Sequence, residues 1–148
     1  MELQIKALSP RIGGDIPLPY FATDGAAAMD LHACLDEPLS LAPGERKMVP
    51  SGIAVAIPDG HVGIIAIRSS MGAKHGINMA NGIGVIDSDY RGPLSMCIVN
   101  LSDTPYTIEP GDRVAQLMVL PVVQPTLKLV EELPETQRGQ GGFGSTGK

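Results

Sequence analysis

A chain of 148 residues with 43% hydrophobic content can build one domain around a real core, while Gly 18 and Pro 13, about a fifth of the residues, argue against a helix-rich fold. The net charge of −5 excludes a protein that tracks a nucleic-acid backbone, which needs clustered Lys and Arg, so an anionic ligand has to be small and locally gripped. Cys34 and Cys97 lack CxxC spacing and nearby paired histidines; neither a zinc site nor a disulfide framework is expected, and buried free thiols in a reducing compartment are. The first residues carry no apolar or basic leader and no apolar run could span a bilayer, so a soluble, cytoplasmic protein without a membrane partner is expected.

In chain order, Leu3, Ile5 and Ala7 alternate with polar neighbours as a half-buried first strand, and 10–19 is a Gly/Pro-rich connection. Within 24–34, Met29, Leu31 and Ala33 alternate with Asp30 and His32, which places Asp30 opposite the core-facing side chains. Leu39 and Leu41 precede a Pro43-Gly44 turn, Met48 and Val49 follow it, and Ile53, Val55 and Ile57 alternate up to Pro58-Asp59-Gly60. The run 62–67 reads as a strand buried on both faces. Next, 81–94 reads as a tight β-hairpin with 94–100 as its return strand. A short strand at 106–108 lies between turns, 114–123 is a further apolar run, and 127–130 a last strand. Turns every eight to twelve residues or so predict an all-β sandwich, jelly roll or barrel.

Three stretches carry candidate chemistry. In 81–94, Gly82 and Gly84 permit φ > 0 or a close backbone approach, and Asp87 and Asp89 lie among apolar neighbours near the turn. One of these acids is a candidate general base; equally, Ser88, Asp89 and Gly92 could be plain turn residues whose amides Asp87 caps. In 68–76, Ser69 or Ser70 is a plausible N-cap of a short helical turn, with Arg68 adding a bidentate anion grip; the alternative is only a capped turn. Beyond Leu133 the chain becomes Gly-rich, so a β domain over 1–133 is followed by a flexible segment over 134–148. Arg138 and Phe143 make that segment either a solvated terminus or a lid. No GxxxxGK[ST], HExxH or GxSxG element is present.

Five blocks in order, AAAMDLHA, RSSMGAKHG, NGIGVIDSDYRG, PGDRVAQLMV and RGQGGFGSTG, resemble the motifs of the trimeric dUTPases and span nearly the whole chain. The resemblance implies a jelly-roll-like β fold with a short helix, a homotrimer with active sites at subunit interfaces, and Mg²⁺-assisted hydrolysis of dUTP to dUMP and pyrophosphate. That reaction limits uracil in DNA and supplies dUMP for thymidylate synthesis. Carried over, Asp87 matches the acid that deprotonates the attacking water, and Tyr90 the ring that leaves no room for a 2′-hydroxyl. Asn81, the main chain at Val85 and Ile86, and the strand near Ser95 match the uracil-reading groups. Arg68, Ser69, Ser70 and Gln116 match phosphate-side groups; Arg138 matches the tail residue on the γ-phosphate and Phe143 the ring over uracil, with Ser145 nearby. Asp30 matches an acid that supports the metal's water shell or a neighbouring arginine.

Two departures are small: Ser70 stands where many members have glycine, and Met29 where leucine or phenylalanine is commoner. Two alternatives share this architecture. A dCTP deaminase would carry a glutamate at about the place of Cys97, and a non-catalytic nucleotide-sensing β-trimer could lack Asp87, Tyr90 or the tail, all of which are present here.

Overall fold

In a computed structural model that describes residues 1–142, ten short strands and one helix follow each other along the chain: β1 (Gln4–Ala7), β2 (Met29–His32), β3 (Leu39–Leu41), β4 (Arg46–Ala56), β5 (His61–Ile67), α1 (Ser69–His75), β6 (Ile77–Met79), β7 (Gly84–Ile86), β8 (Pro93–Asn100), β9 (Tyr106–Ile108) and β10 (Arg113–Pro121). One four-stranded sheet has the order β1-β4-β8-β6, a second the order β2-β10-β5-β7, and β3 pairs with β9. The strand pairs are antiparallel, and the sheets stay open, a jelly-roll-like sandwich.

Alternation builds the shared core. On β8, Leu94, Met96, Ile98 and Asn100 point inward, with Ser95, Cys97 and Val99 half-buried on the other face. Facing them from the second sheet are Met29, Leu31, Ile65, Ala115 and Leu117. Asn100, the polar member of the inward row, is fully buried and donates to the carbonyls of Leu41 and Thr104, so its amide is satisfied.

Several expectations change. Residues 81–94 are not a hairpin: β7 pairs with β5 at one edge of the second sheet, while β8 lies inside the first between β4 and β6. The turn residues specify a reversal of the chain but not the partner of each strand, and here the loop 87–92 carries the chain across the sandwich. The run 62–67 is buried on one face only; Gly63 and Ile65 are buried, whereas Val62, Ile64 and Ala66 are half-covered. A strand at 127–130 does not form, and Leu127 and Leu129 are exposed in extended coil. Strand β6 has no counterpart in the sequence reading. Cys34 and Cys97 are free, as expected, but half-buried rather than buried.

Candidate functional site

Val85, Ile86, Asp87, Tyr90 and Ser95 are brought together in one cleft of about 370 Å³, completed by Met48, Pro93 and Leu94. Gly82 has φ +76, which favours glycine, and a Cβ at Gly84 would lie 3.2 Å from the Ile65 Cβ, a tight approach where β7 enters the sheet edge. Asp87 is the first residue after β7 and is exposed. Its carbonyl accepts the Tyr90 amide at 3.2 Å, but among the described residues its carboxylate makes no hydrogen bond or ion pair, so it does not cap the turn. The loop is held by other groups: Arg91 Nη1 donates to the carbonyls of Ser88 (2.6 Å) and Tyr90 (2.9 Å), and the Tyr90 hydroxyl donates to the Pro93 carbonyl at 3.1 Å. A second cleft, about 640 Å³, opens on the other side of Asp87 beside Asp59, His61 and Asp89. Tyr90 and Ser95 line the smaller cleft and not the larger. Asn81 lies outside both, exposed in the loop before β7.

The other predicted residues form a separate centre. Asp30 is 7% exposed on β2, and its two oxygens are each taken by an arginine, Oδ1 by Arg68 Nε and Oδ2 by Arg113 Nη1, both at 3.1 Å. Gln116 pairs with Asp30 across β2 and with Ala66 across β5, which sets the amide and the carboxylate on one face of the sheet. Ser69 and Ser70 do not cap α1. The N-cap is Arg68, extended at φ −69 and ψ 143, and the two serines are the first helical residues, their hydroxyls unused as caps.

Sequence reasoning missed Arg113 and His32 in this centre. Arg113 sits where a Gly-Asp turn enters β10, and only the pairing of β10 with β2 brings it to Asp30; in register it lies opposite His32. The His32 ring stacks on Tyr20 with centroids 6.0 Å apart, and its Nδ1 is buried without a partner among the described residues. Burial, with help from Arg113 and Arg68 and against Asp30, holds the His32 pKa below its usual range.

The two centres are not adjacent in the chain's fold. Ile86 pairs with Gly63, so Asp87 falls level with Val62, and the six steps from Val62 to Arg68 at about 3.3 Å each amount to about 20 Å. Arg138 lies far along the exposed terminal segment, its guanidinium Nε bonded to the Gly141 carbonyl at 2.9 Å. Phe143 and Ser145 fall outside the described residues. Among the described residues no three His, Cys, Asp or Glu side chains converge as metal ligands, and no helix is long and apolar enough to cross a membrane.

Known proteins share both pattern and shape. The family model described as dUTPase matches residues 15–147. The deoxyuridine 5′-triphosphate nucleotidohydrolase of Idiomarina loihiensis is 51% identical over 148 residues, 99% of this chain and 98% of that one, and that of Alcanivorax borkumensis 48% identical over 149, covering 100% and 99%. Among solved structures, the dUTPase of Staphylococcus bacteriophage 80alpha with dUPNHPP superposes with a TM-score of 0.87 at 30% identity, covering 99% of both chains. A mutant dUTPase from phage phi11 of S. aureus, described as coordinating a structural Mg(II) ion, matches at 0.79 and 27% identity over 91% of this chain and 100% of that one. With the family model covering nearly the whole sequence and relatives at about half identity over full length, this chain belongs to the dUTPase family.

Proposed function

We propose that this chain hydrolyses dUTP to dUMP and pyrophosphate, limiting uracil in DNA and supplying dUMP, by in-line attack of water on the α-phosphorus. The observation that carries this reading is the cleft in which an unpaired carboxylate, Asp87, stands beside an aromatic ring, Tyr90, and the β7 main chain. Asp87 takes the proton of the attacking water; the new P–O bond forms as the bond to the pyrophosphate oxygen breaks, and pyrophosphate leaves with the electron pair. Tyr90 packs under the deoxyribose and leaves no room for a 2′-hydroxyl. The main chain of Val85 and Ile86, with Asn81 and the strand at Ser95, reads the uracil edge. Arg68, Ser69, Ser70 and Gln116 hold the phosphates, and Asp30 orients Arg68 and Arg113 toward them rather than touching the ligand itself.

Mg²⁺ is the cofactor in this reading. Both Asp30 oxygens are already engaged by arginines, a donor arrangement that suits an ion arriving on the triphosphate with its own waters better than one held by the subunit. When bound, it would spread the charge of the phosphate oxygens.

The active unit is a homotrimer. About 20 Å between Asp87 and Arg68 exceeds what a triphosphate can bridge, so the phosphate grip on one substrate comes from a neighbouring subunit. The half-covered outer face of the second sheet, with Ile64, Val85 and Met118 in register, supports such a contact. The same reading makes 1–133 the β domain and 134–148 a lid: Arg138 reaches the γ-phosphate, Phe143 covers the uracil and Ser145 lies near them. The enzyme works in the cytoplasm on a free nucleotide.

Pyrophosphate release measured with dUTP, dCTP, dTTP and UTP tests the activity. A strong preference for dUTP is expected, and equal rates on the four would overturn it. Light scattering tests the assembly, with the mass of three subunits expected; a monomer that is fully active would overturn the shared site.

A further inference from the structure

We infer that Gly92 is a positioning residue for sugar discrimination, the floor against which the Tyr90 ring is set. The inference rests on the role given to Tyr90 above. Gly92 is half-buried and its φ is not positive, so the backbone there does not itself call for glycine. What calls for it is the neighbouring ring. A Cβ at position 92 would overlap the Tyr90 hydroxyl, come within 2.5 Å of Cζ and lie 2.9 Å from Cε2. A tyrosine ring is rigid beyond its two torsions, so it cannot absorb such overlap by bending at its tip; it has to swing as a body.

The same contact explains how an exposed ring keeps one position. Tyr90 is 42% exposed, too open for burial alone to hold it. Its hydroxyl is anchored to the Pro93 carbonyl at 3.1 Å, its edge lies on the bare Cα of Gly92, and Arg91 staples the loop through the Ser88 and Tyr90 carbonyls. The contacts that hold the ring come from the residues that follow it in sequence, Arg91, Gly92 and Pro93. Because the lock is local, removing it displaces the ring and leaves the sandwich intact.

A double-mutant cycle separates this inference from the role of Tyr90. Tyr90→Ala alone tests that role: the kcat/KM preference for dUTP over UTP should collapse, and an unchanged preference would remove Tyr90 from discrimination and the inference with it. Gly92→Ala should lower the same preference by about 10²-fold, the effect of misplacing a contact by an ångström or so, with oligomer mass and unfolding midpoint close to the parent. In the Tyr90→Ala background, Gly92→Ala should lower kcat/KM for dUTP by less than about twofold, well below its effect on the same constant with Tyr90 intact, since the atoms it would strike are gone. Equal losses in both backgrounds, or no loss with Tyr90 intact, would overturn the inference. Should Gly92→Ala alone fail to fold, the double variant is expected to fold; its failure as well would show that position 92 is constrained by something other than the ring.

Discussion

Asp87 and Asp30 stand at opposite edges of the same four-stranded sheet, one just beyond β7 and the other on β2, and they are treated in opposite ways. Asp87 is exposed, and among the described residues its oxygens have no partner. Asp30 is nearly buried and both of its oxygens are bound to guanidinium groups at 3.1 Å. A carboxylate that is to receive a proton from water has to keep its lone pairs free until substrate and lid close over it, so the fold holds the surrounding loop and leaves the acid itself unclaimed. A carboxylate that aims arginines at phosphate has to be spent on them in advance, and its burial is tolerable only because both oxygens are paired. In the proposed reaction the same residue type serves as reagent at one edge and as scaffold at the other, with burial and partners making the difference.

The widest separation between the two should come from Asp87→Asn. Turnover of dUTP is expected to fall by about 10²- to 10⁴-fold, the usual worth of a general base, with substrate still bound and stability unchanged because no native contact is lost. Stopped-flow turnover beside equilibrium binding of a non-hydrolysable analogue would show it; a large drop in the unfolding midpoint would mean that Asp87 is scaffold too, and the contrast would fail. Asp30→Asn is the converse. It leaves two guanidiniums facing a neutral amide, and a loss of about 3 kcal/mol is expected, the lower end for breaking a buried ion pair since both arginines reach solvent. Urea unfolding of the parent and variant measures this, and a variant as stable as its parent would deny Asp30 the scaffold role.

How much of this was readable from the chain depends on whether the information is local. Alternation in 29–33 and 53–57 named the core-facing residues correctly because a strand's side chains alternate with a period of two. The glycines of 81–94 likewise announced a tight entry into the sheet, and Asp87, Tyr90 and Ser95 do share a cleft. Partnership was not readable: nothing in 84–86 says that β7 pairs with β5 rather than with β8. For the same reason Arg113, which reads as part of a turn, joins Asp30 only through strands more than eighty residues apart in sequence. The stretch 127–130 alternates like a strand, yet with no pairing partner among the described residues it stays exposed.

The terminal segment extends the comparison to a third region, one whose described residues make no hydrogen bond or ion pair with either carboxylate. Deleting 138–148 should lower turnover of dUTP by about 10- to 100-fold, the worth of a lost charge-assisted contact of about 1.5–3 kcal/mol in the transition state. The unfolding free energy of the β domain should stay within about 0.5 kcal/mol of the parent, since Arg138 contacts only its own turn in the described residues. A truncated chain with full turnover would reduce the lid to a solvated terminus; one that unfolds easily would place part of 134–148 in the domain.

The smallest effect lies behind Asp30, at His32. Burial lowers its pKa from the usual 6.5, so the folded state favours the neutral ring. Above about pH 6.5 folded and unfolded chains both carry the ring neutral, and His32 contributes no pH dependence. Below that value the unfolded chain takes up the proton first, and folding becomes less favourable until the pH reaches the lowered native pKa, with a limiting slope of about 1.4 kcal/mol per pH unit for one proton. A charged ring would add a third cation beside Arg68 and Arg113, against a single carboxylate already shared between them. His32→Gln, polar but not titrating, should therefore lose less stability than the parent between pH 7 and pH 5.5. Parallel losses in the two proteins would move the acid sensitivity to another group and leave the buried centre insensitive to pH over that range.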